Sequence, residues 1–182
     1  MERRLTAILA ADVAGYSRHT ERNEEASTAT LSVHRAVVEE SIAAHKGHIF
    51  TRAGDGVVAE FPSVVEALRC AIEIQKECRR PLAVPVRIGI HVGNVIVEPS
   101  GLVGDAVNIA SRIESFGVPG GVLVSDSVHE QVKNQSQLAF VGLGRFKLKN
   151  VGRPFEIFAV STDGLEVPAA DFLRGKGERF AS

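Results

Sequence analysis

The chain has 182 residues, of which 45% are hydrophobic and 24% charged, and its formal net charge is −1 at pH 7. This size and composition predict one folded domain and exclude an intrinsically disordered protein. The low net charge and an aromatic content of 5%, with no Trp, give no basis for nucleic acid as a partner. No apolar run approaches about 18 residues, so we expect a cytoplasmic chain without membrane contact.

The first half of the chain alternates between strand and helix patterns. Apolar periodicity predicts a strand at 5–13, a helix at 21–46, strands at 48–52 and 57–61, and a helix at 62–80. The second and third strands flank Ala53-Gly54-Asp55-Gly56. Glycines on both sides of an aspartate are typical of a tight hairpin with Asp55 at its tip.

The second half continues the alternation. Two β-type runs separated by Gly93-Asn94 predict another hairpin within 86–97. A loop at 98–104 then leads to further predicted elements: a helix at 105–116, a strand at 122–124, a helix at 127–132, and strands at 139–143 and 155–160. Residues 1–160 are predicted to form the domain, and 161–182 a C-terminal tail or linker. Hairpins among alternating elements indicate an α+β fold, a ferredoxin-like βαββαβ core with extra strands and helices, its helices on one face.

Two aspartates are candidate metal ligands. Asp12 ends a buried strand, where a carboxylate is costly unless it is paired, hydrogen-bonded or bound to a metal. If Asp55 lay beside it, the two carboxylates and the backbone carbonyl of Val13 would suit a divalent cation such as Mg²⁺. The alternative is that Asp12 caps a turn and Asp55 is an ordinary turn residue.

Asn108 and Arg112 are a second candidate pair. They are four residues apart in the predicted helix 105–116, so both side chains project from one face. An amide beside a fixed cation suits a sugar oxygen next to a phosphate whose charge grows in a transition state. The alternative is an exposed polar pair on a solvated helix surface.

Together, these motifs resemble the class III nucleotidyl cyclases, the catalytic domains of adenylate and guanylate cyclases. The resemblance covers about residues 5–160 and implies the nucleotidyl cyclase fold. It rests on the order and spacing of the following segments: Asp12-Val13-Ala14-Gly15-Tyr16-Ser17, Ala53-Gly54-Asp55-Gly56, Arg87-Ile88-Gly89-Ile90-His91-Val92-Gly93, Gly104-Asp105-Ala106-Val107-Asn108-Ile109-Ala110-Ser111-Arg112, and Leu148-Lys149-Asn150-Val151 with Pro154.

The resemblance implies roles for the first two motifs. Asp12, Asp55 and the Val13 carbonyl would hold two Mg²⁺ or Mn²⁺ ions per site. In the family the metal aspartates and the helix Asn–Arg pair come from different subunits. A homodimer with two shared active sites is therefore expected.

The resemblance also implies how a substrate would bind. Asn108 would orient the ribose of ATP or GTP, and Arg112 would stabilise charge on the α-phosphate. Lys149 matches a lysine that contacts the triphosphate in the family, although Lys147 lies two residues earlier. The expected reaction is cyclisation of the triphosphate, with ATP to 3′,5′-cyclic AMP plus pyrophosphate as the leading interpretation.

The base-reading positions depart from the family pattern. Adenylate cyclases have a lysine and an aspartate at the positions of Thr51 and Gly101, and guanylate cyclases typically have Glu and Cys. Arg52 follows Thr51, but it would point to the opposite face unless the strand had a bulge. ATP and GTP both stay open as substrates. The alternative function is a catalytically impaired, cyclase-like module for nucleotide sensing or dimerisation.

Overall fold

The computed structural model describes residues 2–14, 24–79, 84–162, 164–169 and 178–180. The strands within these ranges are β1 (Glu2–Val13), β2 (His48–Ala53), β3 (Gly56–Phe61), β4 (Val86–Glu98), β5 (Gly101–Val103), β6 (Val122–Ser125), β7 (Phe140–Lys147), β8 (Pro154–Val160) and β9 (Glu178–Phe180). The helices are α1 (Glu24–Ala44), α2 (Val64–Arg79), α3 (Asp105–Phe116) and α4 (Asp126–Val132).

The strands form one mixed sheet in the order β2-β3-β1-β4-β6-β8-β7-β9, with β5 paired to β4. The first four strands and the helices α1 and α2 make up a βαββαβ unit in which β1 lies between β3 and β4, antiparallel to both. This is the predicted ferredoxin-like α+β core. The added strands extend the sheet beyond β4, where β6 runs parallel to β4.

Helices cover both faces of the sheet, so the prediction of helices on one face is wrong. On β1, Leu9 belongs to the core cluster that packs beneath α1, α2 and α4. Its neighbours Ile8 and Ala10 belong to a separate cluster with Ala106 and Ala110 of α3. Because successive strand residues point to opposite faces, α3 lies on the face opposite the other three helices.

The predicted hairpin at Gly93-Asn94 is also wrong. β4 is continuous and pairs with β1 along its length, from Glu2 opposite Val97 to Val13 opposite Val86. A Cβ atom on Gly93 would lie 2.9 Å from the Cβ of Ala106, so this glycine allows α3 to approach the sheet. The chain instead reverses after Glu98, where β5 turns back along β4 within the segment predicted as a loop.

Smaller differences concern the ends of elements. Helix α2 begins at Val64, two residues after the predicted start, and the hydroxyl of Ser63 accepts a hydrogen bond from the backbone N–H of Glu66. Cys70 and Cys78 on this helix are buried and form no disulfide bond.

The segment after Val160 contacts the rest of the fold where it is described. Residues 164–169 cross the turn before β6, and β9 pairs with β7 with Lys147 opposite Glu178. Whether 161–182 acts as a tail or linker stays a prediction. Among the described residues, no helix is both long and apolar enough to cross a membrane.

Candidate active site

Asp12 and Asp55 lie at the same edge of the sheet. β1 and β3 pair from Ala7 opposite Phe61 to Ala11 opposite Val57, so Asp12 follows the last pair. Asp55 lies in the two-residue turn between Ala53 and Gly56, where Gly54 has a φ of 58°. Glycine adopts this left-handed conformation without strain, which lets the hairpin close tightly and present Asp55 at its tip.

The two carboxylates interact electrostatically. Burial raises the pKa of Asp55 to about 6, with the negative charge of Asp12 as the second cause and the positive charge of Arg35 in opposition. Both aspartates are half-buried. Like charges held together in a partly dry site favour protonation or a bound cation, and a divalent cation satisfies both carboxylates at once.

The residues present fit a hard cation. Val13, the last residue of β1, donates its backbone N–H to Oδ1 of Asp12 over 2.8 Å and so fixes that carboxylate. The described residues contain no group of three or more His, Cys, Asp or Glu side chains that could hold a metal. Two carboxylates with a backbone carbonyl are therefore the available donor set, and such oxygen ligands suit Mg²⁺ or Mn²⁺ bound together with phosphate oxygens. Residues 15–17 of this motif lie outside the described residues.

Helix α3 presents the second predicted pair. Its buried side includes Ile109 and Ile113, which pack against the sheet. Asn108 is exposed and Arg112 half-buried, one helical turn apart as predicted.

The sheet register separates Asn108 from the aspartates. Ala106 at the start of α3 lies over Gly93, which pairs with Thr6 on β1. Thr6 and Asp12 are six residues apart, or roughly 20 Å along an extended strand. Asn108, two residues after Ala106, therefore lies away from the aspartates of its own chain.

Thr51 and Gly101 lie near each other, as their shared role would require. A Cβ atom on Gly101 would lie 3.7 Å from the backbone oxygen of Phe50, the residue before Thr51. Gly101 has a φ of 132°, which side-chain-bearing residues rarely adopt, so an aspartate here would strain the backbone. The backbone at this position therefore suits glycine rather than the aspartate of the family pattern.

Strand β2 has a bulge, yet Arg52 does not replace the missing lysine. The pairing of β2 with β3 shifts between Ile49 and Thr51. Thr51 then pairs with Val58 on the α3 face, whereas Arg52 faces α1 and its Nε donates to Glu39 over 2.7 Å. The space beside Gly101 therefore contains the Thr51 hydroxyl but not the guanidinium group of Arg52.

Lys149 is exposed in the turn that follows β7. Its neighbour Leu148 is buried in the cluster that also contains Ile109 of α3. Lys147 lies within β7 instead, opposite Pro154. Lys149 and the exposed side of α3 thus border the same cluster, which suits the predicted role without showing it.

Arg87 belongs to the third motif of the sequence, and the structure gives it a specific place. Arg87 pairs directly with Asp12 across β1 and β4, and its guanidinium lies 3.7 Å from the carboxylate of Glu114 on α3. Its buried Nε has no hydrogen-bond partner among the described residues. A half-buried cation beside Asp12 is a candidate phosphate contact. Only the strand register reveals this, because Arg87 and Asp12 are far apart in sequence.

His91 is a structural residue. It is 4% exposed, and its Nδ1 lies 2.7 Å from the Ser125 hydroxyl, which caps α4. Its ring meets Phe155 edge to face. These contacts connect β4, β8 and the start of α4.

The chain is similar to known proteins in sequence and in fold. The family model described as "Adenylate and Guanylate cyclase catalytic domain" matches residues 11–162. A solved structure named as an adenylate/guanylate cyclase/hydrolase from Silicibacter pomeroyi is similar, with a TM-score of 0.82 and 40% identity over 89% of this chain and 99% of that one. The crystal structure of the adenylyl cyclase CyaB from P. aeruginosa shares the fold, with a TM-score of 0.78 and 23% identity over 91% of this chain and all of that one.

Two curated relatives come from Rhizobium meliloti (strain 1021). The protein named "Putative adenylate cyclase 3" is 43% identical over 170 residues, which are 88% of this chain and 29% of that protein. "Adenylate cyclase 1" is 31% identical over 165 residues, 76% of this chain and 24% of that protein. The chain spans less than a third of the length of either relative. From the matched family model and this similarity, the chain belongs to the family of adenylate and guanylate cyclase catalytic domains.

Proposed function

We propose that this chain cyclises a purine nucleoside triphosphate, with ATP as the preferred substrate, giving 3′,5′-cyclic AMP and pyrophosphate. The observation that carries the proposal is the pair Asp12 and Asp55, held at one sheet edge with their charges in conflict. A chain that only served as a scaffold would have no need for two such carboxylates. ATP is favoured because both Rhizobium relatives bear the name adenylate cyclase.

Asp12, Asp55 and the Val13 carbonyl would hold the metal ions, two per site. When bound there, Mg²⁺ or Mn²⁺ would favour ionisation of the ribose 3′-hydroxyl and neutralise charge on the triphosphate. The 3′-hydroxyl gives up its proton to solvent and its oxygen attacks the α-phosphorus. A new P–O bond forms, the bond from the α-phosphorus to the bridging oxygen breaks, and pyrophosphate leaves.

The chain's own polar groups position the substrate and stabilise charge. Asn108 hydrogen-bonds the ribose and holds the 3′-oxygen in line with the scissile bond. Arg112 stabilises the charge that develops on the α-phosphate. Lys149 and Arg87 contact the remaining phosphates in this proposal, which is supported for Arg87 by its pairing with Asp12.

Two chains would complete each site. In one chain the aspartates and Asn108 are separated along β1, as the register of β1 with β4 indicates. A twofold-symmetric homodimer brings the aspartates of one chain to the α3 helix of its partner, and it does so twice.

The test is a turnover assay on purified protein across a range of protein concentrations. ATP and GTP are supplied separately with Mn²⁺ or Mg²⁺, and the cyclic product is separated by chromatography. We expect cyclic AMP to form faster than cyclic GMP, with a rate that rises more steeply than protein concentration. Equal activity of wild type and Asp55→Asn would overturn the proposal.

A second candidate is a nucleotide-sensing module without turnover. The Thr51 and Gly101 positions favour it, because neither offers the charged group that selects a base in the family. If ATP and GTP bind with Mn²⁺ but neither is cyclised, this second function is the better one.

A further inference from the structure

The segment after β8 includes a stretch, residues 164–169, that we call the C-terminal strap. Arg79 at the end of α2 donates from Nη1 to the backbone oxygen of Gly164 over 2.6 Å. The backbone N–H of Glu166 donates to the oxygen of Gly120 over 3.1 Å. Leu165 packs against the main core cluster and Pro168 is buried. The strap is therefore docked on the domain by specific contacts.

The turn beneath the strap is shaped to receive it. A Cβ atom on Gly121 would lie 2.7 Å from the backbone oxygen of Glu166, and one on Gly120 would lie 3.0 Å from the Cγ of Glu166. Gly120 also has a φ of 84°, which favours glycine. The two glycines leave the space that the strap occupies.

A short chain of hydrogen bonds leads from this turn to β4. The N–H of Gly120 donates to the oxygen of Val86 over 2.9 Å. The buried amide of Gln75 donates to the oxygens of both Val86 and Gly121, each over 2.8 Å. The start of β4 and the turn under the strap are thus held as one unit, because a buried donor with two good partners resists separation from either.

The start of β4 in turn positions the catalytic end of β1. Val86 pairs with Val13, and Arg87 pairs with Asp12. The N–H of Ala14 donates to the oxygen of Pro85 over 2.7 Å. The contacts that lead from the strap to Asp12 are therefore backbone hydrogen bonds, hydrogen bonds of a buried amide, or strand pairings.

From this continuity we propose that the docked strap controls the affinity of the Asp12 end of β1 for its divalent cation. The inference rests on the proposed function, since it takes Asp12 and Asp55 as metal ligands. A metal site tolerates shifts of only about 0.5 Å in its ligands, so undocking the strap weakens binding by loosening the start of β4. Coupling between two sites needs a structural element with two alternative arrangements. In this proposal the element is the strap, and its two arrangements are docked and undocked.

The experiment compares Arg79→Ala with Arg69→Ala in the full chain. Both remove an exposed arginine from α2, but Arg69 pairs with Glu66 on the same helix and does not contact the strap. Mn²⁺ affinity is measured by electron paramagnetic resonance with a non-cyclisable ATP analogue, so the readout does not depend on turnover. Circular dichroism and thermal unfolding check that each variant is folded.

We expect Arg79→Ala to raise the Kd for Mn²⁺ roughly three- to ten-fold. Arg69→Ala should leave the Kd unchanged, and Arg79→Lys, which keeps a donor for Gly164, should restore much of the loss. A chain ending at Ser161 should shift the Kd in the same direction. A folded Arg79→Ala variant with the wild-type Kd would overturn the inference.

Asp55→Asn separates this inference from the function on which it rests. If Asp55→Asn binds Mn²⁺ as tightly as wild type, the metal site is wrong, and the proposed function and the inference fail together. If Asp55→Asn loses Mn²⁺ while Arg79→Ala does not, only the role of the strap fails.

Discussion

Asp12 at the end of β1 and Asp55 at the tip of the β2–β3 hairpin lie close together, so that burial raises the pKa of Asp55 and the charge of Asp12 raises it further. The pairing of β1 with β3, which ends at Ala11 and Val57, brings them together. Without a cation this arrangement costs free energy, because two partly buried like charges repel each other. The two carboxylates therefore favour cation binding, and they lower the stability of the domain when no cation is bound.

Replacing Asp55 with Asn should lower activity without lowering stability. We expect at least about a 100-fold loss of turnover, because a metal ligand supports several kcal/mol of transition-state stabilisation. The melting temperature in metal-free buffer should stay the same or rise, since the repulsion with Asp12 is removed. Turnover assays and thermal unfolding in EDTA check both effects, and a lower melting temperature with activity retained would contradict the metal-site interpretation.

Mixing two inactive variants should restore activity if the sites are shared between subunits. Asp55→Asn removes a metal ligand and Arg112→Ala removes the helix cation, so each homodimer is impaired at both sites. Half of the dimers in an equal mixture are mixed dimers with one intact site of two, so about a quarter of wild-type activity should return. Turnover is measured after the variants are combined and allowed to exchange. No gain over the separate variants, with subunit exchange verified by size-exclusion chromatography of differently tagged chains, would argue against shared sites.

Gly89→Ala should detach α3 from the sheet. The new Cβ would lie 2.8 Å from the Cα of Glu114 and 2.9 Å from the oxygen of Ala110, so the helix backbone would have to move. We expect a loss of about 3 kcal/mol in the free energy of unfolding, measured by urea denaturation. Gly152→Ala is the matched control, because its Cβ would meet nothing within 4 Å. Equal stability of the two variants would show that α3 does not pack as closely as the structure indicates.

His91 should make the domain less stable in acid. Burial lowers the pKa of His91 from 6.5 to about 4, with Arg153 acting in the same direction and Asp126 in opposition. The folded state therefore binds a proton less readily than the unfolded chain, and the stability from neutral His91 is complete above pH 6.5 and is lost as the pH falls towards 4. The loss should reach about 3 kcal/mol, at about 1.4 kcal/mol per pKa unit.

Urea denaturation of wild type and His91→Gln at several pH values tests this. Between pH 4 and 6.5 the free energy of unfolding should fall less steeply for the variant. At pH 8 the two slopes against pH should coincide, which serves as the internal control. Burial also lowers the pKa of His34, but both proteins keep this residue, so it contributes equally to both slopes. Equal slopes across the acid range would therefore contradict the role given to His91.

Local pattern was enough to predict much of the molecule. The strand ending at Asp12, the glycine-flanked turn at Asp55 and the helix that carries Asn108 and Arg112 all have signals within a few residues. Apolar periodicity and turn chemistry act over short distances, so the sequence could predict these elements and the ferredoxin-like core. The cyclase family followed from the resemblance of the motifs. The placement of Asp12 beside Asp55 followed from the resemblance rather than from the pattern.

Other features depended on residues far apart in the chain. Gly93 has the local pattern of a turn, but it lies inside β4, where β4 pairs with β1 and the Cβ of Ala106 on α3 leaves no space for a side chain. The pairing of Arg87 with Asp12 depends on strand register. The contact of Glu166 with Gly120 depends on where a distant segment docks. These features depend on packing and hydrogen bonding between segments that are far apart in the sequence. No local pattern predicts such contacts, so only the tertiary structure decided them.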